Sequence, residues 1–287
     1  MIRLKAYAKL NLSLDIRGKR PDGYHELDMI MQSIDLYDAV LIKKADGIRA
    51  GFDTADLDPL RNTAVSAAQE FFAFTGISGG ADITVQKRIP AQSGMGGASA
   101  DAAAVLVGLN RLYGAGLNEH TLRMLGKRVG ADVPFALMGG TARARGTGEA
   151  LTPLYPARPF YYAVLKPQEG VSTAKAFARY RASEHVSIDT VEYALLKGDI
   201  DLYLRAAGNA LGLAALSVAP RILRAADALR AAGAKKALMT GSGSAMFAPF
   251  ETAEEARSVA ECIKGDYAYC GVHGPVSQGL EIMEETQ

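Results

Sequence analysis

From Ile2 to Ile16 every even position of the chain is apolar, and the odd positions are Arg3, Lys5, Tyr7, Lys9, Asn11, Ser13 and Asp15. That period of two predicts a strand with one buried face, and places Lys9, Asn11 and Ser13 together on the polar one. Pro21-Asp22-Gly23 predicts a turn, after which two further strands are expected over 24–32 and 39–43. Asn62 or Thr63 caps a helix that runs to about Thr75 and stops at Gly76. A strand carrying Ile83, Val85 and Ile89 leads into a glycine-rich loop. An alanine-rich helix follows over about 99–113, then a helix over 119–129 closed by Gly130. The stretch 152–159 holds three prolines and little regular pattern, which marks a crossing between two domains, 1–155 and 156–287. The second half opens with a strand over 160–165 and continues with helices over 172–181, 190–197, 202–216 and 220–232. A strand over 237–239, a Gly-Ser-Gly turn, a strand over 245–250, a helix over 253–264 and a strand over 267–272 complete it. Helices with a mostly antiparallel sheet make an α+β chain.

With 287 residues, 49% of them hydrophobic, the chain can bury one large core or two medium ones. Its 32 basic and 31 acidic residues are interspersed, so no sustained positive field favours nucleic acid or an anionic membrane, and a small-molecule partner is expected. Cys262 and Cys270 form no C-x-x-C pair and the four histidines are scattered, so no zinc site is expected and a reducing, cytoplasmic setting is. The alternating start lacks the apolar block of a signal peptide or membrane span, which predicts a soluble protein that is not exported.

The candidate chemistry begins at Pro90-Ala-Gln92-Ser93-Gly94-Met95-Gly96-Gly97-Ala98-Ser99. Backbone N–H groups between a strand and a helix start, with the positive end of the helix dipole, form an anion site, and glycine lets a phosphate approach the main chain. No Gly-Lys-Ser/Thr follows, so this is not a Walker A loop, and the spacing is not that of a dinucleotide-binding fingerprint. Taken alone, such a turn reads equally as a tight connection. Lys9 alone reads as one more solvated lysine beside Lys5, and Asp132 as a helix N-cap ahead of Val133-Pro134.

The loop resembles the phosphate-binding motif of the GHMP kinases, the family of galactokinase, homoserine kinase and mevalonate kinase. Four other segments resemble one of its subfamilies: Ala8-Lys9-Leu10-Asn11-Leu12 with Asp22-Gly23-Tyr24-His25, Gly130 to Phe135, Gly146 to Pro153, and Met239-Thr240-Gly241-Ser242-Gly243. The resemblance implies a two-domain GHMP kinase fold, with an N-terminal ribosomal-protein-S5-like domain and a C-terminal ferredoxin-like α/β domain. It implies ATP with Mg2+ as cofactor and a cytidine diphosphate-linked polyol as substrate, on the non-mevalonate route to isoprenoid precursors. By this resemblance Lys9 and Asp132 are catalytic, and the loop residues from Pro90 to Ser99, with Asn62 and Lys87, hold ATP. Asn11, Tyr24, His25, Thr173, Phe177, Gly241 and Ser242 hold the substrate, with Tyr24 and Phe177 on either side of the cytosine. Asp101 stands where the motif commonly has asparagine, and Asn209-Ala210-Leu211-Gly212 where relatives commonly have Asn-Asp-Leu-Glu. No second carboxylate beside the loop suggests a magnesium ligand, so the metal is expected on ATP phosphates and water. The rival readings are a GHMP kinase for a mevalonate-, homoserine- or sugar-like alcohol, and a nucleotide-binding regulator without catalysis.

Overall fold

The structure, a computed structural model, describes residues 1–53, 62–182 and 185–286. The alternating start forms β1 (Ile2–Lys19), and beyond the turn runs one long strand, β2 (His25–Ala45), where two were expected. The polar interruption that divides them in the sequence is real in composition only. Ser33 and Asp38 are buried, and pairing with β1 continues on both sides of a bulge that leaves Asp35 and Leu36 opposite no residue. The first half continues with β3 (Arg49–Phe52), α1 (Thr63–Thr75), β4 (Gly80–Gln86), α2 (Gly97–Leu112), α3 (Glu119–Val129), α4 (Val133–Met138), β5 (Thr141–Gly146) and β6 (Ala150–Leu154). The second half contains β7 (Tyr161–Pro167), α5 (Thr173–Arg179), α6 (Ile188–Lys197), α7 (Ile200–Ala206), α8 (Gly212–Val218) and α9 (Arg221–Ala231). It ends with β8 (Leu238–Met239), β9 (Met246–Phe250), α10 (Ala253–Cys262), β10 (Tyr267–His273) and β11 (Leu280–Glu285).

Seven strands form the large sheet, in the order β11-β1-β2-β4-β3, with β5 and β6 added where β2 extends past β4. The second sheet is antiparallel, in the order β10-β7-β9-β8. A division at 155/156 assigns β11 to the second half by sequence, yet its hydrogen bonds put it on the edge of the large sheet beside β1. The segment 202–216 is two helices rather than one. Between them the backbone binds β1 instead of itself: Leu14 N–H donates to Gly208 O at 2.9 Å and Ala210 N–H to Leu14 O at 2.9 Å. Asn209, in the segment that departs from the family pattern, donates through its side-chain amide to Met239 O at 2.7 Å and Gly241 O at 2.9 Å.

Both faces of β1 are buried from Tyr7 to Ile16, against the expectation of one. A bulge explains the change. Asn11 pairs with Met31 but Ser13 with Ile30, so β1 gains a residue at Leu12 and exchanges its faces. Even positions up to Leu12 enter the core beneath α1 and α2, whereas Leu14 and Ile16 enter the second core. Ser13 therefore does not share a face with Lys9 and Asn11, and bonds Gly208 instead.

β5 escapes the periodic reading because its sequence alternates Ala142 and Ala144 with arginines, yet Arg143 is buried. Its guanidinium grips Asp28 of β2 with two bonds, 2.8 and 2.7 Å, and reaches Asp189 and Glu192 of α6 at 2.6 and 2.8 Å. The cluster ties the large sheet to the second half. Burial alone would raise the Asp28 carboxyl, but Arg143 and Arg17 outweigh it and hold it below the usual carboxylate range. Since the native value lies below the unfolded one, this stabilisation is complete above about pH 4 and is lost as the pH falls through the native value. Arg143→Met takes the two-bond partner from buried Asp28 and leaves it the more exposed Arg17 at 3.2 Å, and is expected to cost about 3 kcal/mol at neutral pH. Urea unfolding should show that gap to wild type narrowing as the solution is acidified below about pH 4.

Candidate active site

Lys9 lies midway along β1, on the side away from the first core, and its side chain is 8% exposed. Its Nζ is 3.3 Å from Asp132 Oδ2 and donates to Asn11 Oδ1. Asp132 stands where a helix cap would stand, at the head of α4. Its backbone is already helical (φ −87°, ψ −9°) and its side chain makes no capping bond, so the carboxylate is turned to Lys9 instead. The Asn11 amide faces Lys9 and, at 3.0 Å, the Met29 sulfur, and the residue is 2% exposed. Its position suits holding the ammonium more than reaching a ligand.

Two glycine loops enclose the ammonium stem. The Lys9 N–H donates to Met95 O at 3.0 Å, while Met95 itself is buried in the core, so it faces the loop only through its backbone. A Cβ at Gly96, whose φ is +76°, would lie 3.0 Å from Lys9 Cγ and 3.2 Å from Cε. At Gly94 a Cβ would fall 2.2 Å from Thr240 O, so the first loop can lie on the second only without a side chain there. Backbone bonds from Ala245 N to Ser93 O (3.0 Å) and from Ser244 N to Gln92 O (3.2 Å) fasten them together. Ser93 Oγ accepts the Met95 N–H at 3.2 Å. Thr240, wholly buried, accepts the Asn11 N–H at 2.9 Å. It was not among the expected site residues, although it lies inside the motif that identified its neighbours.

Pro90 leads into the loop, which ends where α2 begins. Gly96 occupies the cap position and α2 has no side-chain cap, in contrast to α1 and α3, whose first turns are met by Asn62 and Asn118. In the first turn of α2 the Ser99 N–H already donates to Gly96 O at 3.0 Å, and the helix sets the positive end of its dipole at the loop. Asn62 is joined to the loop through its neighbour Thr63, which donates to Ala98 O at 2.7 Å. Ser99 Oγ faces Gly130, ahead of Asp132, at 3.8 Å from where a Cβ would stand. Lys87, expected at ATP, is engaged elsewhere: its ammonium lies between Asp38 and Asp101.

From the second loop the contacts continue to an aromatic group. Gly241, with φ +54°, brings the chain past Asn11, and Ser242 Oγ lies 2.8 Å from Thr173 Oγ1 at the start of α5. One turn later Phe177 stacks on His25, ring centroids 5.1 Å apart, and Tyr180 meets His25 edge-on at 5.6 Å. Phe177 is half-buried against the second core, so it is partly a core residue and partly a site wall. Tyr24 is the expected site residue that is not drawn in. It is 66% exposed in the turn before β2, and Phe177 faces His25 rather than Tyr24. Burial, with Lys19 nearby, lowers the His25 pKa below its ordinary value, which favours a neutral imidazole with one donor and one acceptor.

Residues 62–140 match the family of GHMP kinases N terminal domains, and residues 191–268 that of GHMP kinases C terminal domains. A relative from Pelotomaculum thermopropionicum, 4-diphosphocytidyl-2-C-methyl-D-erythritol kinase, is 41% identical, the alignment covering 91% of this chain and 93% of the relative. Among solved structures, a 4-(cytidine 5'-diphospho)-2C-methyl-D-erythritol kinase superposes with a TM-score of 0.79 at 33% identity, over 95% of this chain and 98% of the other. Homoserine kinase from Cytophaga hutchinsonii superposes at 0.77 with 20% identity, over 98% and 97% of the two chains, which shows a shared fold.

Proposed function

The chain belongs to the GHMP kinase family, and from that premise we propose that it transfers the γ-phosphoryl group of ATP to the 2-hydroxyl of 4-diphosphocytidyl-2-C-methyl-D-erythritol, on the non-mevalonate route to isoprenoid precursors. The observation that carries the reading is the Lys9–Asp132 pair, 3.3 Å apart, beside an uncapped helix start and two glycine loops. Phosphoryl transfer needs little covalent help from the protein. It needs a seat for the phosphates, a cation where negative charge spreads, and an acceptor for the hydroxyl proton. The loop residues from Gly94 to Ser99 and the first turn of α2 provide the seat. Lys9, held by Asn11, supplies the cation. Asp132, its side chain 29% exposed, takes the proton as the hydroxyl oxygen bonds to phosphorus and ADP departs.

Among the described residues no group of three or more His, Cys, Asp or Glu side chains could hold a metal ion. Mg2+ would come to the site on the nucleotide's phosphates and water, where it would neutralise part of the phosphate charge. The cytosine takes its place at the aromatic group, where Phe177 and His25 offer stacking faces and His25 a hydrogen bond. The tight His25–Phe177 stack leaves no room for a base between those two rings as they stand, so the base either parts them or lies on an outer face. Purified protein given ATP should release ADP and yield the phosphorylated cytidine substrate by mass spectrometry. Turnover of mevalonate, homoserine or a free sugar in its place would overturn the substrate assignment.

Asp132→Asn removes the proton acceptor with little change in volume. It is expected to lower kcat by about 10²–10⁴-fold with nucleotide affinity nearly intact, measured by steady-state kinetics and calorimetry.

Gly96→Val places a branched side chain against both the phosphate seat and the Lys9 stem. ATP affinity and kcat should both fall, and cytidine-substrate affinity should hardly change. Equal loss of both affinities in calorimetry would indicate general misfolding.

Stacking of a base on an aromatic ring is worth roughly 1–3 kcal/mol, so Phe177→Ala should raise KM for the cytidine substrate by about tenfold or more and leave KM for ATP unmoved. His25→Ala should instead narrow the preference for the cytidine over the uridine analogue. Melting temperatures recorded beside both KM values separate the site contribution of Phe177 from its packing contribution.

A further inference from the structure

Three buried charged side chains lie behind the glycine loop and take no part in the chemistry above. Lys87, just past β4, donates to Asp101 Oδ2 at 2.7 Å and to Asp38 Oδ2. The side chains of Asp38 and Asp101 are 0% and 4% exposed. Two carboxylates on one ammonium leave a formal negative charge on buried oxygens, an arrangement that is costly unless a proton or a further cation offsets it.

The two carboxylates differ. Asp38 is met by donors on both oxygens, since Oδ1 also accepts the N–H groups of Arg88 and Ile89. Asp101 Oδ1 has no partner, and is the one buried side-chain nitrogen or oxygen among the described residues in that state. The charged groups that face Asp101 are Lys87 and Asp38. Of the other elements packed on α2, α1 and α3 bury apolar residues such as Val65, Phe71, Leu122 and Leu125, and Lys9 of β1 is engaged with Asp132. Burial above all pushes the Asp101 carboxyl up to about 7, with the Asp38 charge adding to it and Lys87 opposing it. Burial would lower Lys87, but the two carboxylates outweigh that and hold it above its ordinary value.

Asp101 sits four residues into α2, one turn from the end that receives phosphate, and a Cβ at Gly97 would lie 3.3 Å from Lys87 Nζ. The cluster thus abuts the phosphate seat. We propose that Asp101 Oδ1 takes up a proton from solvent when nucleotide phosphates occupy the loop, so that the Asp38–Lys87–Asp101 cluster becomes neutral as the ligand's negative charge arrives. Lys87 then works through α2 as a positioning residue and does not touch the nucleotide. The proposal rests on the reading of the loop as the ATP site. Its physical basis is that an ionised Asp101 and a phosphate one turn away repel each other in a poorly screened interior, and one added proton, which the neighbouring Asp38 carboxylate can accept as a hydrogen bond, removes the repulsion.

Calorimetry with Mg·ADP at about pH 7.5, in buffers of different ionisation enthalpy, measures the proton directly. Wild type should take up more protons per ADP than Asp101→Asn, the ligand's own titration being common to both. From about pH 6.5 to about pH 8.5 the wild-type Kd for ADP should rise roughly three- to tenfold relative to that of the variant. Equal proton uptake and parallel pH profiles in the two proteins would overturn the proposal. Carboxyl 13C NMR on the wild-type enzyme gives an answer even if the variant does not fold. Titration of Asp101 near neutrality, moving to higher pH with ADP, supports the proposal, and titration below about pH 5 in both states overturns it. ADP binding that Gly96→Val leaves unchanged would instead overturn the loop assignment itself.

Discussion

A lysine ammonium buried in the middle of a strand keeps its charge only where oxygens of the protein replace the water it has lost, and Lys9 is such a group. Asn11 on the same strand and Asp132 at the head of α4 supply those oxygens, while the glycine loop closes over the aliphatic stem. Each of these comes from a different part of the chain. To bring them together, α4 must pack beneath α2, the loop must pass between β1 and the second glycine turn, and Asn209 must hold that turn from below. A helix without a cap and glycines at positive φ are weak choices for stability taken one at a time. Around Lys9 they bring a buried charge to the uncapped start of α2, which is the seat the proposed function assigns to phosphate.

The same principle recurs at two further buried charge clusters, with different outcomes. At Arg143 one guanidinium meets carboxylates from β2 and α6, and the Asp28 carboxyl is held below its usual range. At Lys87 the ammonium's two bonds are divided between Asp38 and Asp101, one carboxyl oxygen is left over, and Asp101 is pushed up instead. The contrast follows from donor supply: Asp28 has both ends of a planar fork, Asp101 a single point charge that it must share. The first cluster fastens the large sheet to α6, and the second lies behind the glycine loop.

Much of this was legible in the sequence. The strand over 2–16, the Asn62 and Gly76 helix boundaries and the helix over 119–129 depend on local backbone physics, and the structure reproduces them. The glycines of the loop before an alanine-rich helix read equally as an anion site and as a tight connection, and it was the resemblance that favoured the first and selected Lys9 and Asp132 from residues that alone read as a surface lysine and a helix cap. What local pattern could not give was the bulge at Leu12, because a one-residue slip in register is set by the partner strand. It separates Ser13 from Lys9 and Asn11 and lets β1 serve two cores.

Tertiary packing likewise decided the break at Gly208, where β1 claims the backbone bonds that a continuous helix would have used, and the return of β11 to the large sheet. It placed Phe177 against His25 and left Tyr24 in the open turn, a choice between neighbouring aromatics that no spacing rule makes. It turned the Lys87 ammonium inward to lie between Asp38 and Asp101. The sequence by itself determined many of the strands and helices and where the glycine-rich turns fall, since those follow from periodicity and the torsional freedom of single residues. Which charges would meet, and which would be left one partner short, was decided only when distant segments were packed together and water was removed from between them.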